Sequence, residues 1–223
     1  MKRFKISISL ITLFALVTLS ACKSEDNEKQ SRTDVLPFYN EATFTPIWLD
    51  PSSDEVKQLH KIPSFNLINQ EGQSVTEGTF DNKIYVADFF FTTCPGICPA
   101  MTKNMGAVQE AFKDDDEVLI LSHSVTPDRD SVPVLQKYAE EHGVISGKWH
   151  LVTGKREEIY DLGRKSYFVE EDLGLQKSSD EFLHTENFIL VDKNKHIRGI
   201  YNGLNNTSVA QLIADIKTLK KEK

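Results

Sequence analysis

Between residues 62 and 220 the apolar positions fall into short continuous runs, separated by stretches that are apolar on one face only. The run Ile84-Tyr85-Val86-Ala87-Asp88-Phe89-Phe90-Phe91 predicts a buried strand, which Pro95-Gly96 then breaks. Pro63 to Gly72 alternates and then turns, as a hairpin does. Pro99 to Lys113 places Met101, Met105, Val108 and Phe112 on one helical face. Val118 to Val125 predicts a second buried strand. Ser131 to Glu141 predicts a helix, with Ser131 at the capping position and Pro133 inside the first turn. Trp149 to Val152 reads as a short strand and Lys155 to Ser166 as another helix. His184 to Val191 predicts a strand, Asp192-Lys193-Asn194-Lys195 a turn, and Ile197 to Tyr201 the antiparallel partner. Thr207 to Lys220 closes the pattern as a helix with Val209, Leu212, Ile213, Ile216 and Leu219 facing in. No internal repeat is visible.

Strand-helix-strand-helix followed by a hairpin and a helix is the order of an α/β domain of thioredoxin-like fold. Its central mixed β-sheet would be flanked by helices and carry an N-terminal hairpin extension. Several folds share that order, so the placement of the cysteines carries much of the assignment.

The beginning of the chain has a different composition. Lys2, Arg3 and Lys5 form a basic region, Ile6 to Leu19 is apolar with a few hydroxyls, and Leu19-Ser20-Ala21-Cys22 follows at once. That order describes a bacterial export signal whose apolar core is too short for a comfortable membrane span. The last four residues look like a lipobox, which makes Cys22 the lipid-bearing first residue of the mature protein. The expected organisation is a lipoprotein signal peptide over 1–21, a lipid-anchored tether over 22–58 and one folded domain over 59–223. Lys23 to Asp34 is almost wholly polar and cannot bury a core. Leu36 to Leu49, with Phe38, Tyr39, Phe44 and Trp48, is the part of the tether that could pack onto the domain. Losing Lys2, Arg3 and Lys5 with the signal takes the net charge from −7 to −10. That acidic balance argues against nucleic acid and against basic-patch docking on anionic lipid.

With Cys22 assigned to the lipid, Cys94 and Cys98 are the remaining thiols. They sit where a buried strand hands over to a helix N-terminus, a position that favours thiolate. Paired thiols there either exchange electrons as a disulfide or bind a soft metal. Three residues, Pro95-Gly96-Ile97, separate them, one more than in a redox thioredoxin motif. Two sulfurs leave copper undercoordinated, and a third ligand, often imidazole, completes such a site. Of the six histidines, His142 and His150 flank elements and read as surface. His60 lies in the tether and His196 in the hairpin turn. His123 falls inside a strand and reads as core or as a neighbour of the site. His184, at the end of the polar loop from Glu170 to Glu181, is the candidate ligand, because in a thioredoxin-like sheet that loop passes over the cysteine loop.

Three stretches carry a resemblance: Phe-Thr-Thr-Cys-Pro-Gly-Ile-Cys-Pro at 91–99, Ser124-Val125-Thr126-Pro127-Asp128-Arg129-Asp130-Ser131, and His184-Thr185 leading into Leu190-Val191-Asp192. Over residues 59–220 the chain resembles the Sco/SenC family, copper-binding assembly factors of cytochrome c oxidase. The resemblance implies that Cys94, Cys98 and His184 hold one copper, Cu(I) or Cu(II), per domain. The family's second signature often has Asp before its proline, where this chain has Thr126. Asp128 and Asp130 are then read as helix capping and a solvated turn. Met101 and Met105 read as core rather than as thioether ligands. The acidic runs Asp114 to Glu117 and Glu157-Glu158 read as solvated, and the acids from Glu170 to Glu181 as a solubilising loop or an attraction for a cationic partner.

The implied function is that of a copper metallochaperone. It would receive copper from a donor chaperone and deliver it to the copper-site subunit of cytochrome c oxidase, at the dinuclear copper site. It would do so from a lipid anchor in the bacterial cell envelope, facing the periplasm. The alternative is an enzyme, a thiol-disulfide oxidoreductase in which Cys94 and Cys98 cycle to keep the oxidase cysteines reduced. A peroxidase is disfavoured by the lack of a peroxidatic cysteine with an arginine partner. A plain copper sink is a further alternative.

Overall fold

The computed structural model describes residues 30–170, 182–183 and 185–222. Among these, the strands are β1 (Asn66–Asn69), β2 (Ser74–Thr76), β3 (Ile84–Phe90), β4 (Val118–Ser124), β5 (Trp149–Thr153), β6 (Asn187–Val191) and β7 (Ile197–Asn202). The helices are α1 (Cys98–Ala111), α2 (Val132–His142), α3 (Arg156–Asp161) and α4 (Asn206–Leu219). The strands form one sheet in the order β2-β1-β5-β4-β3-β6-β7. β3, β4 and β5 are parallel, joined by the crossovers through α1 and α2. The β1–β2 hairpin adds antiparallel to β5 at one edge, and the β6–β7 hairpin adds antiparallel to β3 towards the other. This is the predicted mixed sheet with its hairpin extension.

β3 is central, hydrogen-bonded on both sides and buried at every residue. Alternation along the strand feeds two cores. Ile84, Val86 and Phe90 pack with Met101, Met105, Leu135, Trp149, Leu212 and Ile216 under α1, α2 and α4. Tyr85, Ala87 and Phe89 pack on the opposite face with Phe65, Ile159, Tyr167 and Leu183. Met101 and Met105 are fully buried, in keeping with their reading as core. After α3 the chain widens into a π-helical turn, Leu162–Ser166.

Part of the stretch read as tether is packed. Leu36 and Phe38 are almost fully buried. Phe38 bridges Ile47, and Tyr39 bridges Ile197 at the open edge of β7. Arg198 holds this segment down. Its guanidinium donates to the carbonyls of Pro37 (3.1 Å) and Leu36 (2.7 Å) and pairs with Asp192 (3.2 Å) and Glu222 (2.7 Å). It also lies 4.0 Å from the centre of the Phe38 ring. Glu222 in turn accepts from the Leu36 N–H at 2.7 Å. One planar cation thus joins the N-terminal segment, the β6–β7 turn and the end of the chain, using the fork geometry that lysine lacks.

The polar exception in β3 is Asp88. It is buried among the apolar residues beneath α1 and accepts a short hydrogen bond from the Ser122 hydroxyl on β4. Ser122 accepts in turn from the Trp149 indole at 2.8 Å. Burial is the dominant influence on Asp88, only partly offset by Ser122, and pushes its pKa up to about 7.

Two stability predictions follow from these buried charges. Replacing Arg198 by Met leaves Asp192, Glu222 and two carbonyls without their partner, and should cost about 3–5 kcal/mol in urea unfolding. Limited proteolysis should then cut between residues 30 and 47, where the parent resists. For Asp88 the sign runs the other way. Its folded pKa lies above the unfolded value of about 3.9. The protonated carboxyl therefore favours the fold fully below about pH 4, and that advantage is lost as pH rises through about 7. Asp88→Asn, neutral throughout, should be more stable than the parent at pH 8 by roughly 1–3 kcal/mol and about equal at pH 4. Equal effects at both pH values would refute the buried-carboxyl account.

Candidate metal and redox centre

The cysteine loop begins where β3 leaves the sheet and ends in the first turn of α1. Ile97 is the residue before the helix, Cys98 its first residue and Pro99 its second, where the missing N–H costs nothing. Helix formation thus starts one residue earlier than the sequence pattern predicts. The Ile97 carbonyl accepts from both Ala100 and Met101 and closes the turn over Cys98. On the other side, the Cys94 N–H bonds back to the Phe91 carbonyl at 3.3 Å.

Cys94 and Cys98 are both free thiols, but their surroundings differ. Cys94 is partly exposed and flanked by exposed Pro95 and Gly96; Cys98 is buried. The Cys98 N–H points to Cys94 Sγ at 3.5 Å. Partial burial works against the Cys94 anion. The Cys98 thiol and the backbone N–H groups of Cys98, Gly96 and Ile97 outweigh it and hold Cys94 below the usual thiol value. Cys98 behaves oppositely. Burial, reinforced by the hydrogen bond to Cys94 and by the Cys94 and Asp88 charges, pushes it up to about 12. The pair therefore combines one partly exposed thiol whose anion is favoured with one buried thiol whose anion is opposed.

The loop after β4 lies alongside. Val125 donates to the Phe90 carbonyl at 2.9 Å, prolonging the β3–β4 ladder. Asp130, read from sequence as a cap or a solvated turn, is fully buried and does neither. It accepts from Thr92 in the cysteine loop and from Ser124 and Thr126 in its own. Asp128 is exposed, and Ser131 precedes α2 without a side-chain capping bond. Thr126 serves as a hydroxyl donor to Asp130.

His184, the third predicted ligand, lies outside the described residues, as does Cys22. Its neighbours are described. Leu183 is fully buried, so close to Gly163 that a Cβ there would stand 2.6 Å from it. The Thr185 hydroxyl donates to the Val169 carbonyl at 2.7 Å. Phe182 packs edge-on against Phe91, the first residue of the cysteine loop, with ring centres 5.3 Å apart. Among the described residues, no three of His, Cys, Asp and Glu gather into a metal-binding group.

The other histidines are engaged elsewhere. His60 bonds the Ser166 carbonyl at 2.8 Å and lies against Phe168. His142 is exposed, as read. His150 is buried beside Asn69, contrary to its surface reading; His196 lies in the β6–β7 turn as read, and is buried there with its ring donating to the His60 carbonyl. His123 is the core residue of its two readings, stacked on Phe89 with ring centres 4.5 Å apart. Burial, against its hydrogen bond to the Asp88 carbonyl, pulls it down to about 4. Glu170 pairs with Arg164 at 3.3 Å, which takes it out of the acidic loop surface.

Sequence reasoning missed Asp88, Asp130 and Arg198. The visible signal for Asp88 was a lone carboxylate inside an apolar run. For Asp130 it was the nearby hydroxyls of Ser124 and Thr126, though not that of Thr92.

Comparison with known proteins matches the family model described as SCO1/SenC over residues 53–221. The SCO1 homolog of Bacillus subtilis strain 168 is 31% identical over 163 residues, covering 71% of this chain and 82% of that one. A solved structure of BsSco, described as having a disulfide switch and as a member of the Sco family of cytochrome c oxidase assembly proteins, is 30% identical. It covers 74% of this chain and 95% of that chain with a TM-score of 0.62. A SCO1/SenC family lipoprotein from Bacillus anthracis is 29% identical, covering 73% and 96%, with a TM-score of 0.61. Bradyrhizobium japonicum ScoI with copper bound is 25% identical, covering 72% and 98%, with a TM-score of 0.55. A thioredoxin-like sheet with two unlike thiols at the strand-to-helix junction, matched over three quarters of its length, makes this chain a member of the SCO1/SenC family.

Proposed function

We propose that this chain carries copper for the assembly of cytochrome c oxidase. Cys94 and Cys98 would hold one copper together with the His184 imidazole and pass it to an apo dinuclear copper site by ligand exchange. The observation that carries this reading is the open dithiol at the start of α1, with a favoured thiolate at its exposed sulfur. Thiolates are the ligands soft copper prefers. Exposure of Cys94 gives an incoming thiolate a sulfur to displace, while buried Cys98 is shielded until the loop is engaged. The Phe182–Phe91 contact supports His184 as the third ligand, because it brings the segment two residues before His184 against the cysteine loop. The copper-bound relative from Bradyrhizobium japonicum supports the cargo, and BsSco the oxidase as destination.

The same asymmetry favours a second reading, thiol-disulfide exchange with the oxidase cysteines. Cys94 would attack, and Cys98 would resolve the mixed disulfide after losing its proton. The disulfide switch described for BsSco supports it. For location, the proposal is export under the signal at 1–21 and attachment through lipid on Cys22, facing the periplasm; the Bacillus anthracis lipoprotein supports the lipid attachment. No helix among the described residues is long and apolar enough to cross a membrane.

Two measurements test these readings in a Cys22→Ser background, where Cys94 and Cys98 are the only thiols. Iodoacetamide should modify Cys94 first, with a midpoint below the usual thiol value of about 8.5, and leave Cys98 largely unmodified; equal rates would remove the attacking-thiol assignment. Copper titration of the reduced protein should reach one per chain, and air oxidation should abolish it. His184→Ala should lower affinity roughly 100-fold or more, since even outer partners of a ligand contribute ~10–100-fold, while keeping most disulfide exchange. Affinity should fall in acid as protons compete for the ligands. Copper binding that survives oxidation would end the chaperone reading. Normal oxidase assembly by His184→Ala but not by Cys94→Ser would favour the reductase.

A further inference from the structure

The carboxylate of Asp130 has four donors. Thr92 Oγ1 donates to Oδ1 at 2.6 Å, and Oδ2 receives the Thr92 N–H at 3.3 Å, Ser124 Oγ at 2.5 Å and Thr126 Oγ1 at 2.9 Å. The group is fully buried, although it lies in the loop leading into α2. A local turn would be satisfied by Ser124 and Thr126 alone, and the Thr126 N–H already bonds Ser124 Oγ at 3.2 Å. What the Asp130 side chain adds is the long-range tie to Thr92, two residues before Cys94. On the other side of Thr92, the Cys94 N–H bonds Phe91 O at 3.3 Å. Thr92 is therefore held by a carboxylate at the point where the chain turns from β3 towards the first turn of α1. Cys94 Sγ meets the Cys98 N–H at 3.5 Å from that seat.

We infer that Asp130 is a positioning residue for the cysteine pair. By fixing Thr92 it seats Cys94 against the first turn of α1 and sets the balance between dithiol and disulfide. Hydrogen bonds to a charged acceptor contribute about 1.5–3 kcal/mol, enough to fix one loop geometry over its neighbours. The seat favours the dithiol, because the N–H directed at Cys94 Sγ serves a thiol or thiolate better than a disulfide sulfur. Oxidation by glutathione disulfide forms the Cys94–Cys98 bond, breaks the glutathione S–S bond and yields two glutathione thiols. Both protons pass to the departing sulfurs, so the exchange balances without any metal. The inference rests on the reading of Cys94 and Cys98 as the working pair, and it is independent of copper.

The test is the metal-free equilibrium of the protein dithiol with glutathione, in a Cys22→Ser background. Thr92→Val removes the hydroxyl bond, the shorter of the two ties, while leaving Asp130 the Thr92 N–H and its bonds to Ser124 and Thr126. It should move the equilibrium towards disulfide about tenfold, which corresponds to ~30 mV for a two-electron couple. Thr92→Ser, which keeps the hydroxyl, should stay near the parent. Thr126→Val removes a bond from the same carboxylate on the side away from the cysteine loop and should also stay near it. Thermal unfolding confirms that the three variants are folded. Equal shifts in Thr92→Val and Thr126→Val would make Asp130 general loop support and overturn the inference, as would an unchanged equilibrium in Thr92→Val. Because the readout holds no metal, a protein that binds no copper yet shows the Thr92→Val shift refutes the chaperone reading alone.

Discussion

β3 is bonded on both edges and covered on both faces, and this double burial decides where chemistry can occur. From Ile84 to Phe90 no side chain reaches solvent freely. A reactive group on this strand has to wait until the strand ends. The end is marked by Phe91, which sits beneath Phe182, and by the loop that carries Cys94 out to partial exposure. The crossover to β4 then requires a helix, and its first turn must lie beside the strand end. The helix N-terminus and the cysteines thus share one place for topological reasons. The acidification of Cys94 follows from where β3 stops.

The same burial explains the division of work between the two sulfurs. Cys98 is the first residue of α1, and its side chain turns inward with Met101 and Met105 to join the core over Val86 and Phe90. Cys94, four residues earlier, is still in the loop and receives N–H groups that no helical carbonyl can satisfy. Three loop residues, Pro95 to Ile97, separate a sulfur whose anion is supported from one whose anion is opposed. Beneath them lies Asp88, a carboxyl that a well-packed apolar residue would outperform for stability alone. Its cost falls on the strand that leads into the site, in line with the tendency of perturbed groups to collect at functional sites.

Much of this frame was legible in the chain. The apolar run at 84–91, the Pro-Gly break and Pro99 marked the strand, the loop and the helix start to within a residue, because those signals are local. The helix periods of Met101 to Phe112 and Val209 to Leu219 gave the covering layer for the same reason. Polar residues whose partners are distant were not legible. Asp130 finds Thr92 38 residues away, and Arg198 finds Leu36 162 residues away. Spacing along the chain carries no trace of either. His150 was misread as surface, and the burial of His196 in its turn was not legible, because a histidine beside a turn or strand end has no burial signal of its own. Both are covered by neighbours that only the folded sheet supplies, Asn69 and Phe80 for one, the His60 carbonyl and Phe38 for the other.

The register of the sheet also separates what stabilises the protein from what works. Tyr85 pairs with Val191, and Val191 with Ile197, so the bridge from Ile197 to Tyr39 lies level with the beginning of β3. The Arg198 clamp is one residue further on. The cysteine loop leaves β3 beyond Phe90, about five residues along, which at ~3.3 Å per residue is roughly 17 Å away. Groups that far apart with no shared partner contribute almost independently. The N-terminal segment can therefore close the open edge of β7 and bury Leu36 and Phe38 without constraining the cysteines. The end of the sheet that carries Cys94 is tied instead by the Asp130 carboxylate, which reaches Thr92 from the loop after β4. The exchange we propose at Cys94 is thus placed at the end of the molecule that the clamp does not reach.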